Sequence, residues 1–233
     1  MLATFARSSG VKVWRQHGAI LVCAALAVVF VAWPQLDLIV SQWFYDASLP
    51  GWPLSNHPIN ESIYWVFRYL PHVLIPIMLL VIGLSFVRGG VSPEHRKPWL
   101  FLFLVLLIGP GLLVHSVFKE GFQRERPRAV EQFGGKDTFT PAFVVNEAGN
   151  GKSFISGHAA MAFYFMALAW VFRRRSWLYW GLALGVVMSA VRIMQGGHFL
   201  SDTVFSGFAV FFTCQLLSWW ILGHSRIEEP EAA

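Results

Sequence analysis

Six apolar runs, at about residues 18–40, 71–87, 99–118, 158–172, 177–194 and 199–222, occupy most of this 233-residue chain. Runs this long and this poor in charge constrain the fold more than any other feature. In a bilayer a straight helix needs about 20 apolar residues to cross the hydrocarbon, and every backbone group must be bonded within the helix. Several of the runs are shorter than that and are expected to borrow flanking Trp, Tyr and Phe at the interface. Only 13% of the residues are charged, and the chain holds 11 Trp and 21 Phe; soluble domains carry roughly 25% charged residues. The pattern predicts an all-α polytopic bundle of six transmembrane helices, a single membrane-embedded domain over residues 1–233. The first run follows Arg7, Lys12 and Arg15, which together with it could imitate a secretory signal peptide. It continues through Trp33 and Pro34 without a small-residue cleavage site, so it reads as a span.

The links alternate in charge. Arg7, Lys12 and Arg15 precede the first run, and Arg88, Arg96 and Lys97 separate the second from the third. Arg173, Arg174 and Arg175 separate the fourth from the fifth, and Arg226 follows the sixth. The positive-inside rule places these regions and both termini in the cytoplasm. Links 41–70, 119–157 and 195–198 then face outward, the periplasmic side of the inner membrane in a bacterium. Link 41–70 is rich in Trp, Tyr and Pro and reads as an interfacial cap that shapes a lipid entrance. Link 119–157 departs from the rule, with Lys119, Arg124, Arg126, Arg128, Lys136 and Lys152 outside. Glu120, Glu125, Glu131, Asp137 and Glu147 offset them in part. A solvated mixed-charge loop accounts for Lys136 and Lys152, but less well for Lys119 and Arg126, which flank the span. Cys23 and Cys214 lie inside apolar runs and read as small core residues, with no disulfide or cysteine-based metal site implied. Gly181 and Gly185 form a small-xxx-small pair of the kind that packs helices.

Three polar clusters fall on the outward side. The first, 119–127, reads Lys-Glu-Gly-Phe-Gln-Arg-Glu-Arg-Pro. On a continuing helix Lys119 and Arg126 share a face, and Pro127 ends the element. The second is Ser153-Phe154-Ile155-Ser156-Gly157-His158. Ser156 suits a helix N-cap, Gly157 allows close backbone approach, and free amides there suit an anion. The third joins Arg192 to His198 and Asp202 across Gly196 and Gly197. His198 and Asp202, four apart, share a helix face, so the carboxylate could fix the imidazole's tautomer. A polar turn with a structural histidine is the other reading of that stretch. His115 reads as packed. Arg124 and Arg128 read as a solvated face or as attractors of anionic head groups, and Arg68 and His72 as interfacial side chains that snorkel.

Taken together, Lys-x6-Arg-Pro, Ser-Gly-His and Arg-x5-His-x3-Asp resemble the type 2 phosphatidic acid phosphatase superfamily, which includes vanadium haloperoxidases and glucose-6-phosphatase. Two positions depart from its pattern: Ile155 stands where Pro is usual, and Val191 where Ser is usual. The loss at Val191 removes one hydrogen bond available to phosphate or to neighbouring backbone. The resemblance implies that His198 is the nucleophile, forming a phosphohistidine, with Asp202 orienting it. Lys119, Arg126, Arg192 and the amides near Ser156 and Gly157 would hold the phosphoryl oxygens. His158 would protonate the leaving oxygen and then activate water. Three protein cations would replace the metal ions of other phosphatases, so no metal and no cofactor is expected.

The implied function is a lipid phosphate phosphatase. Its partners would be a phosphorylated membrane lipid and the bilayer, with no nucleic acid and no obligate protein partner. Lipid A phosphates, undecaprenyl diphosphate, phosphatidylglycerol phosphate and phosphatidic acid are the candidate substrates. Within the family, the run Ser-Phe-Ile-Ser-Gly-His looks more like bacterial lipid A phosphatase-type members than the usual Pro-Ser-Gly-His. Three rivals are a lipid phosphotransferase using the same phosphohistidine, a transporter with a polar outer vestibule, and a metal site on His158, His198 and Asp202. Clustering at one face argues against the transporter, and Lys119 and Arg192 would repel a metal ion.

Overall fold

The computed structural model describes residues 2–49, 51–87 and 90–227; Arg88 lies outside them. Helix α1 spans Leu2–Ala32 and α2 Gln35–Gln42. The two meet at 85° across Trp33 and Pro34. Pro34 has no N–H to give and disfavours helical backbone just before it, which accounts for the bend. The residues that carry Arg7, Lys12 and Arg15 ahead of the first apolar run form the first turns of α1.

Helix α3 spans Pro58–Leu84. The sequence reading began this span at Pro71 and treated 58–70 as link, and the structure corrects both. Pro58 sits in the first turn, where a missing N–H costs nothing, and Pro71 and Pro76 lie inside the helix. Interior prolines are tolerated in membrane helices because neighbouring groups re-satisfy the freed carbonyls. The extra turns carry Tyr64 and Arg68 to the site.

Helix α4, Arg96–Leu106, runs on through a π-helical segment, Leu107–Lys119. Pro110 lies within that segment, where its ring would clash with a normal α-helical turn. Helix α5, Glu120–Phe122, is brief and closes on Gln123 at a left-handed φ of 48°. Then come α6 (Gly157–Phe163), a 3-10 turn Tyr164–Ala167, and α7 (Leu168–Phe172). Last are α8 (Arg175–Met194) and α9 (Leu200–Leu217), which ends in a π turn Ser218–Leu222. Among the described residues there is no β-strand, only the isolated bridges Asp46–Gly51 and Val130–Asp137.

Four helices are long and apolar enough to cross a membrane, five if the bent α1–α2 pair counts as one span. The expected fourth span, Gly157–Phe172, is a shorter apolar element. Six crossings is thus an approximate count. Large apolar side chains face outward in number, among them Val28 at 67% and Trp220 at 74% exposure. A surface like that suits lipid and would aggregate in water.

The core lies along α6, which packs against α8 and α9. Ala159, Ala160 and Ala162 are wholly buried, so the backbones approach closely. A Cβ on Gly181 would lie 2.3 Å from the Met166 backbone, and one on Gly185 would lie 2.0 Å from the Phe163 ring. Cys214 is buried in this core, Cys23 is half-buried, and both are free thiols.

Candidate active site

The turn between α8 and α9 organises the site. Gly196 adopts φ +60°, and a Cβ there would lie 2.4 Å from the Trp52 ring. Trp52 packs against Tyr45 and Phe133 in a small aromatic cluster that clamps the turn. A Cβ on Gly197 would lie 2.3 Å from Nη2 of Arg192. Two glycines in succession therefore let the chain fold over the guanidinium. Arg192 is buried, its Nη1 donates to Gln195 Oε1 at 2.5 Å, and its Nε has no hydrogen-bond partner among the described residues.

His198 is 2% exposed, and its Nδ1 lies 2.8 Å from the carbonyl oxygen of Ser153. A carbonyl only accepts, so Nδ1 carries the hydrogen and Nε2 keeps its lone pair. Burial pushes the imidazole pKa down to about 3, although Asp202 beside it pulls the other way. The ring is thus neutral with a free pair on Nε2, the state a nucleophile needs.

The Asp202 carboxylate does not hold that tautomer. Its Oδ2 lies 3.6 Å from Nδ1, too far for a hydrogen bond. Oδ2 instead accepts from Ser153 Oγ at 2.5 Å and from the Phe199 N–H at 2.8 Å. Asp202 therefore positions the Ser153 carbonyl and the start of α9, and acts on His198 through them. The four-residue spacing brings the two side chains near, but the closest acceptor is backbone.

Arg124 is the largest departure from the sequence reading. Instead of facing solvent or head groups, it is 1% exposed. Its Nη1 donates to Asp202 Oδ1 at 2.6 Å and to Ser201 Oγ at 2.9 Å, and its Nη2 to Asp37 Oδ2 at 2.8 Å. Its Nε donates to the Thr140 carbonyl at 2.8 Å, and its guanidinium lies 4.4 Å from the Phe199 ring centroid. Asp37, on α2, also accepts from Ser201 N–H and Oγ at 2.8 and 2.6 Å. A buried charge needs this degree of pairing. Sequence reasoning missed Asp37, Arg124 and Ser153. The available signal was Asp37, a lone carboxylate in an apolar run, which inside a membrane marks function by default.

Lys119 closes the π segment, but the helix stops at Gln123. The expected shared helix face with Arg126 is therefore absent, and Pro127 opens a 3-10 turn instead of ending a helix. Lys119, Arg126 and Arg192 still come close enough to act on one another's charge. A Cβ on Gly157 would lie 3.4 Å from Lys119 Nζ, so glycine there leaves room beside the ammonium.

Ser156 is the N-cap of α6, its Oγ accepting from Ala159 N–H at 3.4 Å. Its own N–H donates to the Asp202 carbonyl at 3.1 Å, and its carbonyl accepts from Ser206 Oγ at 2.9 Å. Its N–H and carbonyl are thus bonded within the protein, and its hydroxyl oxygen caps the helix.

His158, in the first turn of α6, lies close enough to His198, Lys119 and Arg192 to sense their charge. Its ring stacks on Tyr64, centroids 4.4 Å apart and planes at 23°, and its buried Nε2 has no hydrogen-bond partner among the described residues. Beside it opens a cavity of about 380 Å³ between α3 and the π segment, lined by Phe67, Ile75, Leu106, Pro110, Lys119 and His158. Among the described residues no cluster of three or more His, Cys, Asp or Glu is arranged to hold a metal ion.

The profile of the PAP2 superfamily matches residues 98–226, more than half of the chain. The chain is 31% identical over 208 residues to the lipid A 4'-phosphatase of Francisella tularensis subsp. novicida (strain U112), covering 87% of this chain and 91% of that protein. It is 31% identical over 198 residues to the lipid A 4'-phosphatase of Rhizobium leguminosarum, covering 77% and 84%. The corresponding protein of Rhizobium etli is 30% identical over 196 residues, covering 76% of each chain. No solved structure matches. A profile over half the length, relatives covered almost end to end, and a helical bundle faced with apolar side chains lead to one conclusion: the chain is a membrane phosphatase that belongs to the PAP2 superfamily.

Proposed function

We propose that the protein removes a phosphate from a lipid A-type membrane lipid through a phosphohistidine on His198. The observation that carries this reading is the bond between His198 Nδ1 and the Ser153 carbonyl, which leaves the Nε2 lone pair free. In the first step Nε2 attacks phosphorus, and the bond from phosphorus to the lipid oxygen breaks. That oxygen takes a proton from His158. In the second step water attacks phosphorus while His158 takes a proton from it. The P–N bond breaks, inorganic phosphate leaves, and His198 returns to neutrality. Lys119, Arg126 and Arg192 stabilise the charge that builds on the phosphoryl oxygens. With those three cations in place, the reaction needs no metal ion.

The substrate class rests on two supports. The relatives carry the name lipid A 4'-phosphatase. The cavity beside His158 has largely apolar walls, with Arg68, His72, His115 and Lys119 among them, and suits an amphiphile. The charge alternation of the links supports a site on the periplasmic face of the inner membrane, with both termini in the cytoplasm.

The test is phosphate release by purified protein from lipid A species phosphorylated at one position or at both, with EDTA present. Release from the 4' position that survives EDTA supports the reading. Activity lost to EDTA and restored by zinc or magnesium overturns the metal-free mechanism. Faster release from undecaprenyl diphosphate, phosphatidylglycerol phosphate or phosphatidic acid overturns the substrate.

A further inference from the structure

Tyr64 belongs to none of the three sequence clusters, yet it touches both His158 and Arg192. It lies on α3, in the turns that precede Pro71. Its ring stacks on His158, and the Arg192 guanidinium carbon lies 5.0 Å from its centroid. Its hydroxyl accepts from Arg68 Nη1 at 2.8 Å, and Trp65 packs edge-on at 5.3 Å. Tyr64 is thereby fixed at both ends of its ring.

His158 has the opposite character. Its Nε2 is buried without a partner among the described residues, so no protein hydrogen bond shown there sets the ring plane. A proton donor must nonetheless be aimed, because a group loose by tens of degrees delivers its proton poorly. A hydrogen bond to Nε2 would aim it but would also occupy the atom that must give and take the proton. A flat aromatic face constrains the plane and leaves the nitrogen free.

We infer that Tyr64 is a positioning residue for His158, its stacked ring holding the imidazole in the plane from which Nε2 reaches the leaving oxygen. The inference rests on the reading of His158 as proton donor. It adds that a residue outside the motifs sets how well that proton is delivered, and it assigns the turns of α3 before Pro71 a part in the chemistry.

The experiment measures the rate of phosphoenzyme formation in full-length protein, with a lipid phosphate and with 4-nitrophenyl phosphate. A lipid alkoxide needs a proton as it leaves, and a nitrophenolate barely does. Tyr64→Leu and Tyr64→Met, which remove the ring, are expected to lose about 10²-fold on the lipid, within the range of acid–base assistance. Their loss on the aryl phosphate should be at least tenfold smaller. Tyr64→Phe, which keeps the stack, should recover most of the lost selectivity. Equal losses on both substrates, or no loss on either, overturn the proposal, as does Tyr64→Phe behaving like Tyr64→Leu. His158→Ala run alongside separates the two ideas. If His158→Ala is selective and the Tyr64 variants are not, the positioning role alone falls. If His158→Ala itself shows no selectivity, His158 is not the proton donor and both fall.

Discussion

The two histidines of the site sit in contrasting surroundings. His198 is enclosed in polar contacts: the Ser153 carbonyl holds Nδ1, Asp202 holds Ser153, and Arg124 ties Asp202 to Asp37 on a distant helix. His158 lies against an aromatic face, at the edge of an apolar cavity, with Nε2 unpartnered. The difference matches the tasks proposed for them. An attacking nitrogen needs one tautomer and one charge state throughout, which a chain of satisfied bonds provides. A group that gives a proton and then takes one back needs both states within reach, and a fixed hydrogen bond at Nε2 would oppose that.

The largest effect expected from this contrast is at His198. His198→Ala should lose about 10⁶-fold in kcat, the scale seen when a nucleophile is removed. The loss should be the same for lipid and aryl phosphates, because the bond-forming atom is gone. Steady-state phosphate release from both substrates checks this, and substantial release from the aryl phosphate would break the assignment.

On the other side of the site, His158→Ala should lose about 10²–10⁴-fold on a lipid phosphate. The contrast between substrates should appear in the first step and fade in steady state, since the second step still needs a base for water.

Arg124 extends the comparison to folding. Arg124→Met would leave Asp37 and Asp202 buried without their shared counter-charge, a loss of about 3–5 kcal/mol. Thermal unfolding in detergent measures it. Any variant that folds should lose activity equally on lipid and aryl substrates, because the defect reaches His198 and not the leaving group. A Tm near native would mean that the two carboxylates have another partner.

Arg192→Lys should lower kcat by about 10²–10³-fold with little change in KM. An ammonium cannot reproduce two parallel hydrogen bonds to phosphoryl oxygens. Near-native kcat in the lysine variant would take Arg192 out of the cradle.

The smallest effect is on pH dependence. Folded His198 protonates near pH 3, and an unfolded histidine near 6.5. Between those values the unfolded chain binds the extra proton, so stability falls as pH drops below about 6.5. Above that pH the histidine contributes no slope. His198→Asn should flatten this part of the curve relative to the native protein, read as Tm from pH 7.5 down to pH 4.5. An unchanged slope would mean that His198 is already charged in the folded state.

The sequence singled out Lys119, Arg126, His158, Arg192 and His198 as residue types that phosphate chemistry requires, and the structure brings them close enough to act on one another's charge. Their supports were harder to read. The acceptor on His198 Nδ1 is a backbone carbonyl, which has no side-chain signature. Arg124, Arg126 and Arg128 look alike in sequence, and only Asp37 and Asp202 single out the buried one. The start of α3 was misplaced because the apolar run begins at Pro71, whereas the helix begins at Pro58, in a more polar stretch that read as link. Tyr64 went unnoticed as a result, having been assigned to a link.

The division of labour between the histidines is tested most directly by rapid-quench trapping of the phosphoenzyme from 4-nitrophenyl phosphate. His158→Ala is expected to accumulate a base-stable, acid-labile phosphohistidine in a burst, and His198→Ala to form none. Phosphorylation of His198→Ala, with none in His158→Ala, would contradict the account and exchange the two roles.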